Sequence, residues 1–259
     1  MRRTLLIAAH PDDETIGAGV LISRLQGIRI LHATDGSPMD PADAQAAGFA
    51  TRETYASARR TEAVKALAKA GVKENAIVNL RFTDQELAFH LEELTFRILA
   101  RIEQARPDIV LTHAYEGGHP DHDSLAFSCS VARELFRMRN REAPFEIFEF
   151  TGYHSENGRM RTYEFLPGNE QKQHRHYLTP EQRNLKTEML AAFESQCKTL
   201  RPFMSPQSET FRKAPKYDFR RAPHEGKLFY ENFDWGVDGR TWRELAGRAL
   251  TRLDLRRCG

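Results

Sequence analysis

Residues 5–14, LLIAAHPDDE, join an apolar run to a cluster of one histidine and three carboxylates that begins at His10. The apolar run predicts a buried strand over residues 4–9, with a helix starting near the aspartates. Open α/β sheets build their sites at the carboxyl ends of strands, and the cluster lies at such an end. The stretch therefore predicts both the class of fold and the place of a functional site.

A second cluster, His119-Pro120-Asp121-His122, comes shortly after the apolar run at 109–111. Its two histidines are three positions apart, so one helical turn or a tight loop could bring them together. Taken singly, each cluster has an ordinary explanation, since aspartates cap helices and histidines occur on solvated loops. Two such clusters at two strand ends instead indicate a metal site that is completed by the fold.

Apolar runs and helical periodicity alternate over the first part of the chain. The strands are predicted at 4–9, 28–34, 76–82, 107–112 and 145–151, and the helices at about 15–26, 54–70, 90–105 and 122–140. This alternation predicts an α/β fold with a mostly parallel sheet and helices on both faces. A loop is expected at 35–53, and a further helix at about 179–195.

The chain is predicted to form a single domain of 259 residues. The α/β core with the metal site is expected at about 1–151, and a C-terminal extension packed on it at about 152–259. Prolines and aromatic residues beyond the last predicted helix indicate that much of this extension is irregular.

Composition excludes several classes of protein. The 38 basic and 36 acidic residues give a net charge of +2, which provides no electrostatic basis for a nucleic-acid partner. Cys129, Cys197 and Cys258 form no Cys-x-x-Cys pair, so neither a zinc ribbon nor a disulfide framework is expected. This usage fits a reducing compartment, and a cytoplasmic location is predicted. No run approaches the roughly 18 apolar residues that a membrane span needs.

Imidazole and carboxylate groups together suit zinc, and also iron, cobalt or manganese. Three protein ligands with one open position are typical of a catalytic zinc site. A spare carboxylate beside such a site can accept the proton of a water molecule. The two clusters therefore predict a divalent metal, zinc first, next to a proton acceptor.

The paired motifs AHPDDE (9–14) and HPDH (119–122) resemble those of the LmbE-like (PIG-L) deacetylases. The resemblance covers roughly the first 150 residues. It implies a Rossmann-like fold and a zinc-dependent amidohydrolase acting on linear amide bonds. The implied substrate is a small molecule, an N-acetylated or otherwise N-acylated amino sugar, such as an N-acetylglucosamine derivative, or a sugar conjugate. A homo-oligomer is compatible with the sequence.

The resemblance also implies roles for the residues of the first motif. His10 and Asp13, together with His122 of the second motif, match the metal ligands. Asp12 matches the general base that takes a proton from the water activated by zinc.

Four further residues match family positions. His119 matches a histidine that stabilises the oxyanion or protonates the leaving amine, and Asp121 matches the residue that orients it. Arg59 matches an arginine that helps to hold the sugar, and Asp84 matches a second position on the substrate side. For these last two, a solvated helix residue and a simple turn cap are the alternatives.

Other functions stay open at this point. The nearest is an amidase or deacylase of a non-sugar N-acyl metabolite. A protein of another class would be a catalytically inactive sugar- or nucleotide-binding module with a Rossmann-like fold. The first strand-to-helix turn carries no Gly-x-Gly-x-x-Gly, which disfavours nucleotide binding, and the presence of Asp12 disfavours inactivity.

The aromatic residues of the C-terminal extension permit two interpretations. Tyr217, Phe219, His224 and Tyr230 could wall the substrate pocket, since aromatic faces pack well on sugar rings. Alternatively they cover a hydrophobic flank of the sheet, as most buried aromatic residues do.

Overall fold

A computed structural model describes residues 2–140, 145–167 and 171–253 of the chain. Its strands are β1 (Thr4–Ala8), β2 (Arg29–Pro38), β3 (Ile77–Asp84), β4 (Ile109–His113), β5 (Glu146–Phe150), β6 (Tyr153–Glu156), β7 (Arg159–Thr162), β8 (Gln173–Tyr177) and β9 (Ser208–Lys213). Its α-helices are α1 (Asp13–Arg24), α2 (Ala42–Ala46), α3 (Arg52–Lys69), α4 (Leu91–Ala105), α5 (Pro120–Asn140), α6 (Pro180–Ala191) and α7 (Gly239–Arg252). The alternation predicted for the first part of the chain is confirmed, although β2 and α2 occupy part of the expected loop.

A seven-stranded sheet forms the centre of the molecule, in the order β3-β2-β1-β4-β5-β9-β8. The strands β1 to β5 run parallel, whereas β9 runs antiparallel to both of its neighbours, β5 and β8. The chain leaves β1 towards β2 on one side and returns to β4 on the other, so the strand order reverses between β1 and β4. In open α/β sheets such a reversal opens a crevice at the carboxyl ends of the two strands.

Helices cover both faces of this sheet, as predicted. The helices α1, α3 and α6 pack together on one face, around Ile16, Leu67 and Met189. The helices α4 and α5 cover the other face, around Ile98 and Leu125, and α7 packs outside them. None of the helices in the described ranges is long and apolar enough to cross a membrane.

The C-terminal extension is more regular than the sequence indicated. The strands β6 and β7 form a hairpin, β8 and β9 lengthen the main sheet, and α7 packs on α4 and α5. The strand β8 escaped prediction because it lies at the sheet edge, where its polar sequence QHRHY is largely exposed and shows no apolar alternation. The single-domain organisation stays a prediction, and Cys258 lies outside the described residues.

Glu209 on β9 connects the extension to α1. Ala18 has non-helical angles (φ −146°, ψ 19°), which interrupt the hydrogen-bond ladder of α1. The Glu209 carboxylate accepts hydrogen bonds from the backbone N–H groups of Val20 and Leu21 at 2.8 and 2.9 Å. It also accepts one from the fully buried ammonium group of Lys186 at 2.8 Å. One buried carboxylate thus satisfies three donors.

Replacing Glu209 with alanine is expected to lower the free energy of unfolding by about 3–5 kcal/mol, because the Lys186 charge stays buried without a partner. Lys213→Ala on the same strand is the matched control, since it removes an exposed ion pair with Glu146 worth at most about 1 kcal/mol. Urea unfolding followed by circular dichroism measures both variants. Equal losses in the two would contradict the role assigned to Glu209.

Candidate metal centre and active site

Three candidate metal ligands meet where β1 and β4 end. His10 follows β1, Asp13 begins α1, and His122 lies in the first turn of α5. One oxygen of Asp13 lies 3.0 Å from His10 Nδ1, and the other lies 3.1 Å from His122 Nε2. All three side chains are buried, and their ligand atoms lie within 4.8 Å of one another. The fold therefore brings the two motifs to one point, as the sequence predicted.

A second group of the same compactness consists of His10, Asp84 and His119. His10 presents one ring nitrogen to each group, because Nδ1 faces Asp13 while Nε2 lies 2.9 Å from Asp84 Oδ1. An imidazole nitrogen binds a metal only when it carries no proton. The tautomers of the histidines therefore decide which group is the better ligand set.

Asp121 fixes the tautomer of His10. Its carboxylate accepts hydrogen bonds from the backbone N–H groups of Gln85 and Leu87 and lies 3.2 Å from His10 Nε2. A carboxylate held in this way keeps the proton on Nε2 and leaves Nδ1 free for a metal. These contacts favour the first group as the ligand set.

His119 is oriented by the backbone of α5. The N–H of Asp121 donates to His119 Nδ1 at 3.1 Å, so in the neutral ring Nε2 carries the proton. That nitrogen lies 4.0 Å from Asp84 Oδ1. His119 is thus placed as a hydrogen-bond donor. The sequence paired the Asp121 side chain with His119, but its carboxylate contacts His10, and only its backbone contacts His119.

The ligand group fits a divalent cation. His122 Nε2 is buried and has no hydrogen-bond partner among the described residues, although Asp13 Oδ1 lies 3.1 Å away. Leaving a buried nitrogen without a hydrogen-bond partner is costly, and a cation held by His10, Asp13 and His122 would provide one. Two imidazoles and a carboxylate are a donor set that zinc accepts readily, and other divalent metals also suit it.

Asp12 adjoins the ligands and is held by Arg59. The guanidinium donates to the Asp12 carboxylate at 2.9 Å and to the carbonyls of Pro11 and Gly36 at 3.0 and 2.7 Å. Burial raises the pKa of Asp12 to about 8, although the Arg59 charge opposes this rise. The φ angle of Asp12 is 148°, in a region that residues with a side chain avoid. Backbone strain of this kind is concentrated at functional sites.

The main role of Arg59 in the structure is therefore to hold Asp12. Its guanidinium is buried and already contacts one carboxylate and two carbonyl groups, although it also lines the neighbouring cavity. The contact with a sugar that the sequence suggested for Arg59 stays a prediction. The same holds for Asp84, whose carboxylate lies closer to His10 than the sequence indicated.

A cavity of 680 Å³ opens onto these groups, which is within the range of about 300–1,000 Å³ typical of small-molecule sites. Its polar lining includes His10, Asp12, Arg59, Asp84 and His119. Its lining also includes Tyr153, Met160, Phe203, Phe229, Phe233 and Trp235. The cavity therefore combines groups suited to amide chemistry with a largely aromatic wall.

Of the two interpretations of Tyr217, Phe219, His224 and Tyr230, the pocket wall is not supported, since none of the four lines this cavity. The Tyr217 hydroxyl donates to buried Glu149 at 2.7 Å, and Phe219 packs near Trp242 in a buried cluster. The wall is built by other aromatic residues of the same extension. Residue composition alone could not predict which of the aromatic residues line the cavity.

His113 at the end of β4 is a buried neighbour of the ligands. Its Nε2 accepts the backbone N–H of Ala9 at 3.1 Å, and its ring stacks on His122 at 3.9 Å. Burial lowers the pKa of His113 to about 3, so its ring is neutral at physiological pH. His113 thus packs against the ligand group. Its position at the end of a predicted strand was the only feature of the sequence that indicated a place near the site.

The fold and the site together define an α/β protein with a His/Asp metal centre at the switch point of its sheet. Residues 5–132 match the family model described as PIG-L, GlcNAc-PI de-N-acetylase. The resemblance seen in the motifs is therefore confirmed for this segment, which matches the PIG-L (LmbE-like) family.

Curated relatives match about half of the chain. A probable N-acetyl-alpha-D-glucosaminyl L-malate deacetylase 2 of Bacillus cereus is 34% identical over 149 residues, which are 55% of this chain and 65% of the relative. A diacetylchitobiose deacetylase of Thermococcus kodakarensis is 37% identical over 136 residues, covering 49% of this chain and 47% of that protein. The chain thus spans just under two thirds of the length of the first of these relatives and about half of the second.

Solved structures extend the similarity of fold beyond the family segment. A deacetylase of teicoplanin biosynthesis has a TM-score of 0.61 at 18% identity, covering 82% of this chain and 97% of that one. The architecture of the C-terminal extension is therefore shared, at least in part, with this group of structures.

Proposed function

We propose that the chain is a metal-dependent N-deacetylase that hydrolyses the acetamide of an N-acetylated amino sugar or sugar conjugate. The observation that carries the proposal is the common cavity lined by His10 of the ligand group, Asp12 and His119. The names of the curated relatives and the matched family support an N-acetylated amino sugar as the substrate class. Zinc is the metal we propose for the site.

His10, Asp13 and His122 would hold the metal. When bound, a divalent cation supplies water of lowered pKa and polarises an amide carbonyl. Asp12 accepts a proton from the attacking water, and Arg59 keeps its carboxylate in place.

His119 acts on the oxygen of the amide. Its Nε2–H, fixed by the backbone hydrogen bond to Nδ1, donates to the carbonyl oxygen as negative charge develops. A donor of this kind is worth about 3–4 kcal/mol. The proton held by Asp12 passes to the departing nitrogen as the C–N bond breaks, which yields acetate and a free amine.

An amidase acting on a non-sugar substrate would use the same residues, so the two functions differ only in their substrate. A nucleotide-binding module is disfavoured because the β1–α1 turn carries Asp12 and Asp13 where a phosphate would need backbone N–H donors. A cytoplasmic location and a homo-oligomeric state remain predictions.

Chelation tests the proposal directly. Protein loaded with zinc is expected to release free amine from at least one of a panel of N-acetylated amino sugars and their glycosides. Dialysis against a chelator should abolish release, and added zinc should restore it. Metal content is measured in parallel on each sample.

Two results would contradict the proposal. One is full turnover by protein shown to be free of metal. The other is hydrolysis of simple N-acyl amines without any release from the sugar panel, which would favour the non-sugar amidase.

A further inference from the structure

The loop between β4 and α5, residues 114–119, ends in His119 and is buried along its whole length. Loops usually run over the surface of a protein, where water satisfies their backbone N–H and carbonyl groups. A buried loop has to find these partners within the protein. The partners of this loop therefore determine where the His119 ring lies in the cavity.

Asp123 in the first turn of α5 provides partners on one side of the loop. Its Oδ1 accepts hydrogen bonds from the backbone N–H groups of Glu116 and Gly117 at 3.1 and 3.0 Å. Because Asp123 is fully buried, bulk water does not compete for these bonds. Two adjacent amides of the loop are thus tied to the helix that begins directly after His119.

The C-terminal extension closes the other side of the loop. The Gly117 carbonyl accepts a hydrogen bond from the backbone N–H of Phe229 at 2.9 Å. A Cβ atom at Gly118 would collide with the carbonyl oxygen of Tyr153, and one at Gly117 would lie 2.7 Å from the Leu228 side chain. The loop backbone therefore packs directly against the extension, at two positions where only glycine fits.

The Glu116 side chain connects the loop to the main sheet. Its Oε1 accepts hydrogen bonds from the backbone N–H of Leu166 at 2.7 Å and from Arg212 Nη2 at 3.3 Å. Arg212 on β9 also donates from Nε to Glu149 on β5 at 2.8 Å, and its guanidinium lies 3.9 Å from the Phe165 ring. Since Arg212 is only 2% exposed and has these further contacts, the sheet fixes the anchor of the Glu116 carboxylate.

We propose that Glu116 is a positioning residue, whose carboxylate, anchored on Arg212 and on the backbone of Leu166, fixes the loop so that His119 meets the amide oxygen of the substrate. The inference rests on the proposed deacetylase function and gives the C-terminal extension a part in it. A donor stabilises an oxyanion from about 2.7–3.1 Å, and a displacement of about 1 Å can cost about 10²-fold in rate. The proposed metal ligands lie outside the loop, so loosening it should lower the rate without releasing the metal.

Replacing Glu116 with alanine tests this role. In zinc-loaded Glu116→Ala protein, kcat on an N-acetylated amino sugar that the wild type hydrolyses is expected to fall about 10–100-fold, with metal content kept and KM little changed. Glu116→Gln keeps an oxygen acceptor for Leu166 and Arg212, and it should recover most of the lost rate.

The Glu116→Ala variant should still fold, because Arg212 keeps Glu149 as its partner. Folding is checked by circular dichroism, and Glu116→Ser is a second variant with the same expected kinetics. Folded, metal-loaded protein of either variant with the kcat of the wild type would overturn the proposal.

Glu149 provides the matched control, because its carboxylate bonds to Arg212 and Tyr217 from β5 and not to the loop. Both glutamates are buried, and burial raises the pKa of each to about 7. Glu149→Ala and the milder Glu149→Gln should therefore lower stability much as the Glu116 variants do, while kcat is kept. An equal fall in kcat at both positions would show that the cluster supports the fold alone, against a positioning role for Glu116.

Hydrogen exchange in metal-free protein tests the positioning role without turnover. The amides of residues 116 and 117 are bonded to Asp123, so their protection factors report how often the loop opens. Relative to the amides of β1, their protection is expected to fall at least about tenfold in Glu116→Ala and to be kept in Glu149→Ala. Such a fall supports the positioning role even if no acetamide is hydrolysed, in which case the deacetylase function alone fails. A lower kcat with unchanged protection overturns the positioning role and leaves the function standing.

Discussion

Asp12→Asn protein is expected to retain its metal and to lose about 10²–10⁴ in turnover. A general base acts on the attacking water and need not bind the ion. Asparagine is chosen over alanine because it keeps a hydrogen-bond acceptor for the buried Arg59, whose guanidinium lies 2.9 Å from the Asp12 carboxylate. Metal analysis and the rate of amine release are measured on the same preparation.

The exposed Asp40 provides the matched control, since Asp40→Asn removes the same charge outside the cavity lining. It should leave both metal content and rate unchanged. If Asp12→Asn protein instead loses its metal and regains activity in excess zinc, Asp12 is a ligand and the roles of Asp12 and Asp13 are reversed.

His122→Ala is expected to abolish metal binding and activity together. His122 supplies one of two imidazoles in the ligand set, and its Nε2 has no hydrogen-bond partner among the described residues. Removing it leaves one imidazole and one carboxylate, too few for a tight zinc site. Metal content by elemental analysis and amine release are the two measurements.

Because His122 is buried, the folded state of the variant is checked by circular dichroism. His122→Gln is the second variant, since it keeps more of the side-chain volume and removes the imidazole. The exposed His174 on β8 gives the control His174→Ala, which should bind metal normally. A folded His122 variant that is fully metallated would refute the ligand assignment.

The metal group was predictable from the sequence because both motifs follow strands of the parallel sheet. Apolar runs identify such strands, and their carboxyl ends meet at one edge of a parallel sheet. The same reasoning located the two clusters without coordinates, whereas the choice of His10, Asp13 and His122 as ligands came from the family resemblance. The sequence could not tell which partner each ring nitrogen has, since Asp121 reaches His10 only through the tertiary placement of the 85–87 turn.

The aromatic wall lay beyond what the sequence could predict. Tyr217 and Trp235 are both aromatic residues of the extension, yet the Tyr217 hydroxyl contacts a buried ion pair of Glu149 with Arg212, while Trp235 lies beside His119. This difference arises from how the extension folds over the sheet. Strand β8 was missed for a similar reason, because its pairing with β9 and not its own residue pattern makes it a strand.

The contact of Glu209 with α1 limits how this protein can exchange parts with its relatives. The helix that begins in the metal motif depends for two backbone partners on a carboxylate almost two hundred residues later in the chain. A chimera that joins this N-terminal half to a foreign C-terminal half would gain a new pocket wall, but it would also need an acid in register with Val20 and Leu21. The determinants of substrate choice and the scaffold of the metal site are therefore inherited together, and recombination between them should succeed only where that register is kept.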